Sequence, residues 1–164
     1  MRSLIVLVFF SVSVGSFAQD TTVASNAIYL ELGGNAGYGS LNYERMILSK
    51  NKFQLSVRAG LSTLKMVDYR DKFNPDIIIP VALNVTYGNN HKIETGIGST
   101  YTNMVNVGGN LSPERTSVLN GNLHLGYRYQ KSNGGILFRV CYTPLFESFN
   151  SFRHWAGISV GYTF

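Results

Sequence analysis

Eight charged or titratable side chains recur at alternate positions along the chain, and they have the greatest potential for chemistry. They comprise three carboxylates, three arginines, a lysine and a histidine: Glu31, Glu44, Arg58, Lys92, Glu94, His124, Arg128 and Arg139. Oppositely charged groups confined to one interior are expected to form ion pairs, because an unpaired buried charge is costly. Two interpretations stay open, a salt-bridged plug and a polar conduit or ligand site.

A second set of candidates lies near the C-terminus, where His154 is close in sequence to Glu147 and Ser151. A serine, a histidine and a carboxylate are the groups that acyl transfer uses. Their spacing matches no motif with a defined mechanism, so we predict no catalytic residue. The sequence also lacks a metal-ligand cluster and a phosphate-binding loop, and we expect no metal and no cofactor.

The elements that carry these residues alternate apolar and polar side chains with a period of two, which is typical of strands with two different faces. The last segment, Ala156 to Phe164, follows this alternation without interruption. Eight such segments are predicted, at approximately 28–33, 41–47, 53–61, 79–87, 92–101, 119–129, 136–143 and 156–164.

The connections between the segments alternate in length. Short polar turns are predicted at 49–51, 88–90 and 131–134, and long loops at 62–76, 102–116 and 145–154. The first connection, 34–39, is brief although it lies on the long-loop side. This arrangement predicts an all-β fold, an eight-stranded antiparallel up-and-down barrel of the transmembrane type.

The two faces distinguish a membrane barrel from a soluble one. An eight-stranded barrel has an interior just wide enough for side chains, and the polar face here is rich in glycine, serine and threonine. The apolar face is bulky and therefore fits lipid. Aromatic residues near the short turns are expected to form an interfacial girdle: Phe53, Tyr87, Tyr127, Tyr129, Tyr162 and Phe164.

The N-terminal residues predict a cleaved signal peptide over 1–18, with Arg2 before an apolar stretch and Ser16-Phe17-Ala18 at the cleavage position. The barrel domain would then occupy 19–164. The apolar run contains serine and glycine and is too short for a spanning helix, which disfavours a membrane anchor. The net charge of +5 forms no basic stripe, so we expect no binding to nucleic acid.

At this level the chain resembles small single-domain outer-membrane barrels of the OmpA transmembrane-domain and OmpX kind, and uncharacterised outer-membrane barrel proteins of Bacteroidota. Four stretches carry the resemblance: Tyr29 to Arg45, Ile79 to Asn84, Gly126 to Gln130 and Gly157 to Phe164. Within the last of them, Ile158, Val160, Tyr162 and Phe164 look like the signal that the barrel-assembly machinery recognises.

The resemblance implies a location in the bacterial outer membrane, with membrane lipid, lipopolysaccharide and the barrel-assembly machinery as partners. It implies no activity. We therefore expect a non-enzymatic barrel with a plugged lumen and a structural or loop-mediated role. The alternatives are an enzyme that modifies lipid A or phospholipid, and a small solute pore. The aromatic last loop, with Phe146, Phe149, Phe152 and Trp155, is an interfacial belt, a loop folded over the barrel mouth, or an adhesion or partner surface.

Overall fold

The computed structural model describes residues 23–67, 73–107, 113–147 and 151–164. The predicted signal peptide lies outside these described residues. The strands are β1 (Asn26–Gly33), β2 (Gly39–Lys50), β3 (Phe53–Leu61), β4 (Ile77–Gly88), β5 (His91–Val107), β6 (Pro113–Gln130), β7 (Gly135–Tyr142), β8 (Leu145–Glu147), β9 (Ser151–Arg153) and β10 (Ala156–Thr163). In the described ranges, no helix has the length and apolar character needed to cross a membrane.

The strands form a closed antiparallel barrel. From β1 to β7 each strand pairs with the next one along the chain, and β10 closes the ring by pairing with both β7 and β1. The short strands β8 and β9 form a hairpin in the connection between β7 and β10, and β8 also pairs with β6. The barrel wall therefore has eight strands, which confirms the predicted fold.

The two ends of the barrel differ as predicted. The short-turn end holds the β2–β3, β4–β5 and β6–β7 connections, and the long-loop end holds the others. The expected loop 102–116 is wrong, however, because β5 and β6 stay paired as far as Val107 and Pro113. The expected loop 145–154 likewise contains the β8–β9 hairpin. The β5–β6 extension contains polar residues such as Thr102, Asn103 and Ser117, so it shows no apolar alternation from which strands could be predicted. A hairpin that extends above the wall needs backbone pairing but no apolar face.

In the eight wall strands the apolar face points outward and the polar face points inward, as the alternation predicted. Leu30, Ile97 and Val160 on the outer face are 56–63% exposed, whereas Arg58 and Arg139 on the inner face are fully buried. Of the six predicted girdle aromatics, five are exposed at the short-turn end, while Tyr129 is half-buried with its ring beside that of His91. The strands thus carry their charges into the interior of the barrel.

Candidate functional site: a charged cluster in the barrel lumen

Glu94 on β5 is the centre of the lumen cluster. Its Oε1 lies 3.0 Å from Nη1 of Arg139, and its Oε2 lies 3.0 Å from Nη1 of Arg128. The two arginines are directly opposite each other on β6 and β7. Two cations in such close register repel each other, so the bridging carboxylate stabilises this part of the wall.

Glu31 on β1 connects the other side of the barrel to the same cluster. Its two oxygens lie 3.0 Å from Nη1 of Arg58 and 3.2 Å from Nη2 of Arg139. The backbone N–H of Asn35 also donates to Glu31, at 3.1 Å. Arg139 therefore joins Glu31 to Glu94, and one continuous set of ion pairs crosses the lumen.

Glu44 on β2 completes the set of carboxylates. Its Oε1 accepts hydrogen bonds from Nη1 of Arg128 at 2.7 Å and from the hydroxyl of Ser56 at 2.6 Å. Its Oε2 accepts from the hydroxyl of Tyr29 at 3.0 Å and from the amide of Asn84 at 3.1 Å. Four donors satisfy this buried carboxylate, which is the condition under which a buried charge is tolerated.

Tyr29 also belongs to the cluster, although it was not among the residues predicted from the sequence. Its hydroxyl donates to Glu44 and accepts from Arg58 at 3.4 Å and Arg139 at 3.3 Å. The Arg139 guanidinium also lies over the tyrosine ring, with Cζ 5.4 Å from the centroid. The alternation had placed Tyr29 on the inner face beside Glu31, and that was the available signal.

Two of the eight predicted residues lie at the margin of the cluster. Nζ of Lys92 donates to the amide oxygen of Gln54 at 2.5 Å, and no described carboxylate lies within ion-pair distance of it. Nε2 of His124 lies 3.4 Å from Glu94, without hydrogen-bond geometry. The structure thus joins three carboxylates to three arginines, and it separates Lys92 from the ion pairs.

The brief first connection closes the long-loop end of the lumen. It forms a single 3-10 turn, Gly34–Ala36, whose three residues are buried between β2, β4, β5 and β10. The hydroxyl of Thr100 donates to the carbonyl of Asn35 at 2.7 Å, and Nε1 of Trp155 donates to the carbonyl of Gly37 at 3.0 Å. The sequence indicated a short turn here but not that the turn folds inward.

Gly34 allows this turn to lie directly on the ion pairs. Its φ is +69°, and a Cβ there would come within 1.5 Å of Oε1 of Glu31. Beneath it, Gly96 and Gly98 leave room for His124 and Asn122, since a Cβ at either position would meet those side chains at 2.4–2.7 Å. Small residues on the inner face therefore make space for the large charged ones.

The short-turn end of the lumen is less tightly filled. A cavity of about 20 Å³ is lined by Glu44, Arg128, Gln54, Ser56 and Thr86, among others. This volume is enough for about one water molecule. The one carboxylate among its lining residues, Glu44, is already engaged by Arg128. The described residues contain no cluster of three or more histidine, cysteine or acidic groups suited to a metal ion.

The remaining predicted candidates lie outside the lumen. His154 stacks on Tyr142, with ring centroids 5.9 Å apart, and its Nδ1 is hydrogen-bonded to the tyrosine hydroxyl. The backbones of Glu147 and Ser151 pair in the β8–β9 hairpin, but their side chains lie outside what the structure describes. Ile158, Val160, Tyr162 and Phe164 are exposed on the outer face of the last strand and just beyond it.

The fold of this chain is similar to the folds of solved outer-membrane barrels. The N-terminal β-barrel domain of Pseudomonas aeruginosa OprF superposes with a TM-score of 0.56 at 14% identity, covering 85% of this chain and 98% of that one. Ail, the attachment invasion locus protein of Yersinia pestis, gives 0.58 at 9% identity, covering 87% and 99%. The chain has the fold of a small outer-membrane β-barrel.

A second structure of Ail, in complex with the heparin analogue sucrose octasulfate, gives a TM-score of 0.53 at 9% identity, covering 85% of this chain and 96% of that one. No protein-family model matches the sequence, and no curated protein matches it. The expected resemblance to small outer-membrane barrels is therefore confirmed for the fold. The finer resemblance to barrels of Bacteroidota stays a prediction.

Proposed function

We propose that this protein is a non-enzymatic barrel of the bacterial outer membrane, exported by a cleaved signal peptide, with a lumen closed by paired charges. The observation that carries the proposal is the ion-pair cluster, in which Arg139 links Glu31 to Glu94 across a fully buried interior. A side chain held on both sides of the lumen leaves no room there for a solute. The wall then stabilises the membrane, and the connections at the long-loop end contact partners.

The outer surface supports the membrane location. Every exposed position in the middle of β4 is apolar, with Ile79, Val81 and Leu83 each 38–44% exposed. A barrel suits lipid because closure leaves no unpaired sheet edge. Fractionation of cells that express the gene tests this point. We expect the protein in the outer-membrane fraction, with a mature N-terminus at Gln19, and recovery in the soluble fraction would contradict it.

The closed lumen is tested by conductance. The refolded protein, added to planar lipid bilayers, should give no current steps beyond those of a detergent blank. Heat-modifiable migration on gels provides the control, because it shows that the added protein is a folded barrel. Repeated unitary steps from folded protein would overturn the plugged lumen and favour a solute pore.

The absence of enzymatic activity is tested by lipid mass spectrometry. Cells with and without the gene should have the same lipid A and phospholipid profiles. A gene-dependent mass change that matches loss or transfer of an acyl chain would overturn this part of the proposal. In that case His154, Ser151 and Glu147 would be the first residues to substitute.

A further inference from the structure

The excess positive charge of the outer surface is concentrated at the short-turn end. Arg45, Lys50, Lys52 and Lys131 are all exposed there. No exposed acidic side chain accompanies them within the described residues, because Glu31, Glu44 and Glu94 are buried in the lumen and Asp76 and Glu114 lie at the long-loop end.

The long-loop end, in contrast, is balanced in sequence. Its basic residues are Lys65, Arg70, Lys72, Arg115 and Arg153, and its acidic residues are Asp68, Asp71, Asp76, Glu114 and Glu147. The two ends therefore differ in the kind of charge that they attract. Among the described residues, the exposed charged side chains at the short-turn end are all positive and therefore favour a negatively charged partner.

Two of these cations, Lys50 and Lys52, lie at the turn between β2 and β3, whose backbone is held by hydrogen bonds. Asn51 and Lys52 form a two-residue turn between the paired residues Lys50 and Phe53, and Asn51 has φ 56°. The backbone N–H of Gly88 donates to the carbonyl of Lys52 at 2.9 Å, which ties this turn to the neighbouring β4–β5 turn. The lysines are thus attached to a fixed backbone.

Two open surface grooves adjoin this turn. One, of about 600 Å³, is lined by Lys50, Lys52, Leu48, Phe53 and Tyr87. A β-bulge between Met46 and Leu48 accompanies the outward position of Leu48, which is 50% exposed. The groove therefore has apolar walls and a cationic end.

The other groove, of about 540 Å³, continues toward β5 and β6 and is lined by Tyr87, Asn89, Asn90, His91, Lys92, Ile93 and Tyr127, among others. Lys52 and Tyr87 line both grooves. Two open grooves with largely apolar surfaces, which share Lys52 and Tyr87, match the form of a lipid with two acyl chains and one phosphate.

We propose that the short-turn end binds an anionic diacyl phospholipid, with its phosphate at Lys52 and one acyl chain in each groove beside Tyr87. This inference rests on the proposed membrane function and specifies a partner for it. Lys50 adds a second cation, and the asparagine amides donate hydrogen bonds to the glycerol and phosphate oxygens. A basic residue near an anionic lipid surface favours the anionic lipid about five-fold.

Tryptophan fluorescence can test the site, because the chain contains one tryptophan, Trp155, at the long-loop end. The reporter protein carries Trp155→Phe with Tyr87→Trp, and a control reporter carries Trp155→Phe with Tyr162→Trp. Both are placed in phosphatidylcholine nanodiscs that contain a minor fraction of phosphatidylglycerol. The bromine quencher is attached to the acyl chains of one lipid or the other.

Brominated phosphatidylglycerol should quench the fluorescence of the tryptophan at position 87 severalfold more than its fraction of the lipid predicts. At position 162 the quenching should be proportional to that fraction. Lys52→Gln should remove the excess at position 87. Lys131→Gln provides the matched control, since it removes one charge at the same end from the β6–β7 turn, across the barrel from Lys52, and it should leave the excess unchanged.

The outcomes separate the two proposals. Proportional quenching at position 87, or equal loss in Lys52→Gln and Lys131→Gln, would overturn the lipid site and leave the membrane barrel intact. Failure of brominated phosphatidylcholine to quench either reporter in a folded, heat-modifiable protein would instead overturn the membrane location itself.

Discussion

The inner and outer faces of the barrel are built from the same strands, yet they obey opposite rules. On β5, Glu94 points inward and is fully buried, whereas Ile97 points outward and is 61% exposed. On the inner face a charge is stable because other charges surround it. On the outer face a side chain is stable because it carries no charge at all. The difference shows that the polarity of a wall residue depends on whether its side chain points into the lumen or away from it, and not on where the residue lies along the strand.

The largest effect is expected from removing the charge at the centre of the inner face. Glu94→Gln would leave Arg128 and Arg139 with one fewer counter-charge, and breaking a buried pair costs about 3–5 kcal/mol of the free energy of unfolding. Reversible denaturant unfolding in lipid vesicles measures the loss.

Glu114→Gln is the matched control, because Glu114 is exposed at the long-loop end. It should change stability by less than about 0.5 kcal/mol. Equal effects of the two substitutions would mean that the lumen ion pairs contribute nothing particular.

A charge on the outer face is the converse test. Leu83→Arg places a guanidinium in the middle of β4, where lipid contact should cost about 2–4 kcal/mol. The same substitution at Ile93, close to the short turns, should cost less than about 1 kcal/mol. The same vesicle titration compares them, and a cost independent of position would argue against a membrane-spanning wall.

The third prediction concerns the turn that closes the lumen. Gly34→Ala combines an unfavourable φ with a clash against Glu31, and a cost of about 1–3 kcal/mol is expected. Gly37→Ala shares the positive φ, at +85°, but no atom lies within 4 Å of its Cβ. The second variant should therefore lose less stability in the same titration, and a reversed order would contradict the buried turn.

The smallest effect is expected from one hydroxyl. Tyr29→Phe removes a group that contacts Glu44, Arg58 and Arg139, and leaving those partners unsatisfied should cost about 1–2 kcal/mol. Tyr43→Phe removes an exposed hydroxyl that donates to Asn26 and should cost less. If both variants retain wild-type stability, Tyr29 is a bystander in the cluster.

The sequence could predict which face of a strand each residue occupies, but not which residues pair across the lumen. A period of two assigns each strand residue to a face, so the inward positions of Glu31, Arg58 and Arg139 followed from their neighbours. The partners did not follow, because Arg139 meets Glu31 only through the closure of β10 onto β1. Pairing across the lumen depends on the stagger of the strands, which a local pattern does not encode.

Other features could not be predicted from the sequence, for different physical reasons. Tyr29 is neutral and was not counted with the charges, although its hydroxyl contacts three of them. Lys92 was counted with them, but its position near the β4–β5 turn places its ammonium on Gln54. The long β5–β6 extension was hidden because its residues pair with each other above the wall and need no apolar side.

The distribution of the lumen charges among the strands has a consequence for how the barrel closes. β1 to β4 bring Glu31, Glu44 and Arg58 to the lumen, while β5 to β10 bring Lys92, Glu94, Arg128 and Arg139. The lumen charges of the first group of strands therefore sum to a net negative value, and those of the second group to a net positive one. Taken separately, each group also has two open sheet edges that lipid cannot satisfy, β1 and β4 in one and β5 and β10 in the other. Electrostatic attraction between the two sets of charges and the pairing of these edges therefore both favour the closed barrel over an open sheet.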